Sequence, residues 1–322
     1  MSFTLPDHWV WDFWLADDGE QFHLYYLFAP RSLGDESLRH RNARIGRATS
    51  RDLVSWVDHG EVLAPGAAGS LDETATWTGS VVRASDGEWR MFYTGSRFLA
   101  PDSTTNVEQI GLAVSDDLVV WRKRDDVLVS ADPRWYERLE DGTWREEAWR
   151  DPWVYSDGER WHMLVTARAN EGDALDRGVI AHATSDDLES WTVQPPVSAP
   201  GAGFLHLEVP QLVEHEGRYV LLFSCDTPHL AVDRRKRGET GGIWAVDAPS
   251  ATGPFAVERA VRIADERYYS GRLIRDHDGA WLLLAFENVG EGGDFIGRLS
   301  DPMPVTWTDD GVLQLETQGA RS

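Results

Sequence analysis

The chain has 322 residues, 42% of them hydrophobic, enough for a packed core, and a formal net charge of −23 that excludes nucleic acid, anionic lipid or a polyanion as partner. The N-terminal "MSFTLPDHWV" has no basic or apolar leader, no apolar run is long enough to cross a bilayer, and the single cysteine, Cys225, excludes an intrachain disulfide. These features lead to the expectation of a cytoplasmic protein in which Cys225, at the end of "LLFSC", is a small buried hydrophobe.

Taken in chain order, the elements repeat. "HWVWDFWLA" alternates like a strand, and "GEQFHLYYLFA" follows it across a polar turn. "IGRATSRDLVSW" then reads as a third strand, a turn, and an aromatic, Trp56, that opens a fourth. The same order returns as "ATWTGSVVRA", "GEWRMFYTGS" and "IGLAVSDDLVVW", and again as "AWRDPWVYS", "GERWHMLVTA" and "IAHATSDDLESW". Two divergent copies follow: "LHLEVPQLVEH", "GRYVLLFSC", "IWAVDAPSATGPF", and "YYSGRLIRDH", "GAWLLLAFEN", "IGRLSDPMPVTW". The closing aromatics Trp56, Trp121, Trp191, Phe255 and Trp307 recur at intervals of 52 to 70 residues.

Five strand-turn-strand units without an amphipathic helix predict an all-β, five-bladed β-propeller with about four antiparallel strands per blade around a central channel. Residues 1–322 are expected to form that single domain, with no C-terminal β-sandwich. The polar stretches "DESLRHRN", "PDSTTNVEQ", "ANEGDALDRG" and "DRRKRGETGG" fall between second and third strands, so they should gather on one face.

In a propeller the first strand of each blade lines the channel. Counting back seven to nine residues from the turn glycine lands on Asp12, Thr78, Asp151, Glu208 and Ser270. Three of these are acids set among aromatics. Asp151 sits inside "EEAWRDPWVY", where Pro152 removes an N–H from a strand and is tolerable only at an edge, a bulge or a strand start. Crowded carboxylates cannot all ionise alike, and the division into a proton donor and an ionised partner is what glycoside hydrolysis requires. Trp11 and Trp77 offer stacking faces for a sugar. His206, two residues before Glu208, either binds a sugar hydroxyl or tunes the acid, or is a satisfied structural histidine. Tyr269 and Arg272 on the fifth inner strand are expected to close the pocket. No metal-ligand spacing and no phosphate-loop context occurs, so neither a metal nor a redox or nucleotide cofactor is expected.

"VWDFW", "WTGS", "WRDP" and "LEVPQL" together resemble the motifs of the invertase and levansucrase group of glycoside hydrolases, families 32 and 68, five-bladed propellers that act on β-fructofuranosides with retention. The resemblance implies that Asp12 is the nucleophile, Asp151 the transition-state stabiliser with Arg150 beside it, and Glu208 the acid/base. The activity it implies is hydrolysis of, or fructosyl transfer from, a β-fructofuranoside or similar furanoside in a small oligosaccharide. The chain departs from the invertases in lacking Asn-Asp-Pro-Asn around Asp12 and in carrying Val209 after the acid/base, where they have cysteine. Five-bladed pentosidases of family 43 and mannoside phosphorylases place acids similarly, which leaves an inverting pentosidase or a phosphorylase open. A noncatalytic sugar-binding propeller is the reading of another class.

Overall fold

The computed structural model describes residues 2–124, 126–308 and 313–316. Blade 1 is β1 (His8–Asp17), β2 (Phe22–Pro30), β3 (Arg44–Ser50) and β4 (Val57–Leu63), paired antiparallel in that order. Blade 2 is β5 (Ala75–Arg83), β6 (Trp89–Phe98), β7 (Asn106–Ser115) and β8 (Arg122–Lys123), with a short parallel addition, β9 (Glu146–Glu147), on β7. Blade 3 comprises β10 (Trp149–Ser156), β11 (Trp161–Arg168), β12 (Gly178–Ser185) and β13 (Thr192–Gln194). Blade 4 comprises β14 (Glu208–His215), β15 (Arg218–Cys225), β16 (Gly242–Ala248) and β17 (Val261–Asp265), with a short helix, α1 (Val232–Lys236), before β16.

Blade 5 starts with β18 (Tyr268–Arg275) and β19 (Trp281–Val289), and its third strand is split. β20 (Phe295–Leu299) pairs with β19, the chain breaks at Ser300-Asp301-Pro302, and β21 (Met303–Trp307) resumes on β19 before β22 (Leu313–Leu315) completes the sheet. Pro302 has no N–H to continue the ladder. Trp307 consequently ends a strand here, whereas Trp56, Trp121 and Trp191 immediately precede theirs. Phe255 stands off its strand too, because a 3-10 turn, Val257–Arg259, intervenes.

The first strands pack side by side in the order β1, β5, β10, β14, β18 and back to β1, closing the ring around the axis. Apolar side chains fill the seams between blades in five clusters, such as Phe13, Leu24 and Tyr26 against Leu284 and Leu299 where blade 5 meets blade 1. Cys225 is buried, with a free thiol, in the seam between blades 3 and 4. Among the described residues no helix is long and apolar enough to cross a membrane.

The repeated Ser-x-Asp-Leu between third and fourth strands has a local cause. In blade 2, the Asp117 carboxylate accepts the N–H groups of Val119 and Val120, both at 2.9 Å, and the Ser115 hydroxyl at 3.0 Å. That turn forces Leu118 to φ 62, and Leu53 and Leu188 occupy the same left-handed region at the equivalent places. Such a backbone costs a leucine about 1–2 kcal/mol, and burying its side chain in the seam returns about 1.5–3 kcal/mol, so burial wins. These turns lie at the face opposite the second-to-third connections. Asp117→Ala should therefore lower unfolding free energy in urea by about 1–2 kcal/mol, through its lost hydrogen bonds, without disturbing ligand binding.

Candidate active site

Every inner strand breaks its ladder at the same height. The register slips between Trp11 and Phe13, Trp77 and Gly79, Arg150 and Trp153, Glu208 and Gln211, and Tyr269 and Arg272. A β-bulge frees the intervening residues from pairing, which is how Pro152 is accommodated: Asp151 and Pro152 stand opposite a single residue, Val165. Val209-Pro210 and Ser270-Gly271 bulge in the same way. Asp151, Val209 and Ser270 have φ of 60, 52 and 51, a conformation that costs non-glycine residues about 1–3 kcal/mol each and concentrates at functional sites.

Register sorts the site into rows. The row at the mouth is Trp11, Trp77, Arg150, Glu208 and Tyr269, and the bulge row is Asp12, Thr78, Asp151, Val209 and Ser270. Glu208 is thus one residue before the position that the glycine count assigned to it, and Val209 stands level with Asp12 and Asp151. The count failed because hairpin loops differ: residues 157–160 separate β10 from β11, but only 216 and 217 separate β14 from β15. Glu208 still reaches the acids, because it lies between Arg150 and Tyr269 in its own row. Arg150 Nη2 donates to its Oε1 at 2.6 Å, and the Tyr269 hydroxyl donates to its Oε2.

Asp12 is held by hydroxyls. Thr78 Oγ1 donates to its Oδ2 at 2.7 Å and Ser270 Oγ to its Oδ1. Asp151 Oδ2 accepts Thr166 Oγ1 at 2.9 Å and the Val209 N–H at 3.0 Å. Hydroxyls of the second strands brace the bulges of the following blades: Thr94 accepts the Asp151 N–H at 2.9 Å, and Ser224 accepts the Ser270 N–H at 3.0 Å.

The three acids face one cavity of about 480 Å³, within the usual span for small-ligand sites of about 300–1,000 Å³. Trp11, Trp77, Thr78, Arg150, His206 and Tyr269 line it together with the three acids. Arg272 does not. It was expected to close the pocket, but it follows the bulge, and its side chain, 2% exposed, lies below the acids and lines a second hollow at the other mouth of the channel. Three of the four second-to-third connections gather at the mouth, contributing Arg39, His40 and Arg41 from the first, Ser103 and Thr104 from the second, and Asp226 and His229 from the fourth; the third, residues 169–177, contributes none.

One cation serves four carboxylates. Arg150 Nη1 contacts Glu108 at 3.0 Å and Glu146 at 3.3 Å, its Nη2 holds Glu208, and its Nε is 3.8 Å from Asp151. Burial lifts Glu108 to about 8, with Glu146 adding to it, so Glu108 keeps a proton at neutral pH. Burial also lifts Asp151 to about 7 despite Arg150, and it raises Asp12 above the ordinary aspartate value against its two hydroxyl donors. For Glu208 burial works upward as well, but Arg150, His229 and the Tyr269 hydroxyl outweigh it and hold the carboxyl below its usual range. His206 is 1% exposed and kept neutral, chiefly by burial and then by Arg150; its Nε2 stands 3.4 Å from Glu146, and its ring packs edge-on against Trp144 and His229.

Several of these groups carry no sequence signal. Glu108 reads as an ordinary solvent-facing charge on an outer strand, and Arg39 as part of a polar loop. In the fold Glu108 is fully buried behind Arg150, and Arg39 lies 4.0 Å over the Phe295 ring and 5.7 Å from that of Trp11, near Asp12. Glu146, on β9 just ahead of blade 3, could have been noticed as an acid four residues before Arg150.

Comparison with known proteins agrees with this architecture. Residues 13–291 match the model of the glycosyl hydrolases family 32 N-terminal domain, which begins one residue after Asp12. The chain is 27% identical over 284 residues to a sucrose-6-phosphate hydrolase of Zymomonas mobilis, covering 84% of this chain and 51% of that protein. It is 27% identical over 250 residues to a raffinose invertase of Escherichia coli, covering 76% and 48%. The chain thus spans about half the length of these curated relatives. Among solved structures, inulosucrase from Halalkalicoccus jeotgali bound to kestose superposes with a TM-score of 0.80 at 23% identity, over 97% of this chain and 87% of that one. Bacillus subtilis levansucrase does so at 0.73 and 14%, over 100% and 91%, and both share the five-bladed fold. With most of its length inside the family model, the chain belongs to glycosyl hydrolase family 32.

Proposed function

We propose that the protein cleaves the β-fructofuranosyl bond of a small oligosaccharide with retention of configuration. The observation that carries this reading is the convergence of Asp12, Asp151 and Glu208 on one cavity, with Glu208 gripped by Arg150 and Tyr269. The names of the curated relatives, sucrose-6-phosphate hydrolase and raffinose invertase, support a fructoside as substrate. Action inside the cell on imported sugar is supported by the single cysteine and the sucrose-6-phosphate hydrolase likeness.

The Asp12 carboxylate attacks the anomeric carbon while Glu208 gives a proton to the departing oxygen, leaving a fructosyl ester on Asp12. Glu208 then removes a proton from water, which attacks the same carbon and frees Asp12. Asp151 accepts hydrogen bonds from ring hydroxyls that strengthen as positive charge develops. Trp11 and Trp77 flank the sugar, and Arg150 orients Glu208.

In the free pocket the charges run against this division of labour, since Glu208 is held low and Asp12 is raised. Sugar filling the cavity supplies the change. It displaces water from Glu208 and lifts its affinity for a proton, while Thr78 and Ser270 continue to stabilise the Asp12 anion. Further desolvation raises carboxyl pKa values, so the complex must hold more protons than the free enzyme. Titrating a thio-linked, uncleavable fructofuranoside at pH 6 by calorimetry, in buffers of different ionisation enthalpy, should register net proton uptake. Net release would contradict the proposed coupling.

Substitution separates the roles. Asp12→Asn keeps size but removes the attacking anion, so kcat on sucrose should fall by about 10³-fold or more with the fold intact. Glu208→Gln should lose activity on sucrose but keep far more of it on an activated aryl fructofuranoside, whose leaving group needs little protonation. Equal losses on both substrates would remove Glu208 from the acid/base role.

A further inference from the structure

We propose that Arg272 is a positioning residue for the acid ring: from the floor of the channel, its guanidinium ties together the backbone around the bulges and sets the height and charge of Asp12 and Asp151 without touching the sugar. The inference rests on the reading of those two acids given above. Arg272 leaves blade 5 just past its bulge and reaches across three other blades. Its Nε donates to the carbonyl of Phe13, the residue after Asp12, at 3.4 Å. Its Nη1 donates to the carbonyls of Val209 at 3.2 Å and Pro210 at 2.7 Å, the two residues after Glu208. Its guanidinium carbon lies 5.2 Å from the ring centre of Trp153, two residues after Asp151.

Structure alone does not require a charge in this place. The bulges of blades 1, 3 and 4 are followed by Phe13, Trp153 and Gln211, none of them ionic, and Gln211 already joins blade 4 to blade 5 through both amide atoms on Leu273. Arg272 is instead a cation taken almost wholly out of water, with one nitrogen, Nη2, lacking a hydrogen-bond partner. Neutral carbonyls do not repay that desolvation, whereas the nearby acids Asp151 and Asp12 offset part of it. Burial pushes its pKa down to about 10 and Asp151 and Asp12 push it back up, so it remains charged at neutral pH. The largest charge effects on Asp12 come from Glu208 and Arg39, and those on Asp151 from Arg150, Asp12 and Glu208. Arg150 is committed to four carboxylates, and Arg39 lies at the mouth. Arg272 is a cation on the far side of the ring from the sugar.

A planar fork of donors can span two strands at once, whereas lysine supplies charge without the span. Arg272→Met and Arg272→Lys therefore separate the two parts of the role. With sucrose, Arg272→Met should lower kcat by about tenfold or more with little change in KM, and the acid limb of the kcat/KM profile should move to higher pH, because Asp12 loses a stabilising cation. Arg272→Lys should leave that limb in place while still lowering kcat. Either variant with wild-type kcat, or a folded Arg272→Met with an unmoved limb, overturns the proposal. If Arg272→Met does not fold, the lysine variant decides alone: reduced kcat with an unmoved limb supports the proposal, and a shifted limb refutes it.

The functional reading is judged separately, by whether wild type turns over any fructofuranoside. If it does not, unfolding free energy against pH tests Arg272 without turnover. Asp12 and Asp151 already have raised pKa values in the folded state, so the stability they cost appears as pH rises through those values. Removing the cation raises them further, and the deficit of Arg272→Met should widen from pH 5 to pH 8, across the value of about 7 at which Asp151 ionises, while that of Arg272→Lys stays constant. A methionine deficit that is the same at both pH values would show Arg272 to be packing alone.

Discussion

The whole site depends on one backbone constraint: each inner strand must leave its ladder where it passes the axis. A regular strand alternates its side chains between two faces, so only every second residue would turn toward the cavity. The bulges remove that limit. They let Trp11 and Asp12, or Arg150 and Asp151, line the same cavity from adjacent positions, and they place a hydroxyl or acid row directly below a row of rings and charges. Strained φ values at Asp151, Val209 and Ser270 are tolerated because neighbouring blades accept their N–H groups, on the Thr94 hydroxyl, the Asp151 carboxylate and the Ser224 hydroxyl respectively.

Charge follows from that geometry. Packing acids at equivalent places around a narrow channel concentrates negative charge, and Arg150 is the cation about which it is arranged, touching Glu108, Glu146, Asp151 and Glu208. Four buried carboxylates cannot all stay ionised beside a single guanidinium. Burial pushes Glu108 up to about 8 and Asp151 to about 7, whereas Glu208, with the shortest contact to Arg150, is held below the usual carboxylate range; Asp12, beside them, is raised by burial too. A cluster poised in this way responds to any ligand that excludes water, which is the property that acid/base chemistry uses.

Much of this was legible in the sequence because repetition makes position meaningful. Five Gly-aromatic strands and the recurring Asp-Leu turns reported the blades, and Pro152 beside Asp151 reported a break in the ladder. Matching blades by counting from a glycine was less secure, since hairpin loops of unequal length shift the count, and it misplaced Glu208 by one residue. Arg272 was misread for a related reason. It lies three residues beyond Tyr269, close enough to suggest a shared pocket, but the bulge between them sends one side chain to the mouth and the other to the floor. Glu108 and Arg39 had no signal at all, because their meaning comes from contacts with residues 42 and 256 positions away, Arg150 and Phe295.

The central claim is that Asp12 attacks the sugar directly while Glu208 serves the oxygen on the other side of the bond. Its most direct test is the configuration of the first product. Proton or carbon NMR during the first turnovers of sucrose should show fructose released as the β-furanose, before mutarotation spreads it among the other forms. Initial release of the α-furanose would mean that water, rather than Asp12, attacks carbon, and would contradict the account.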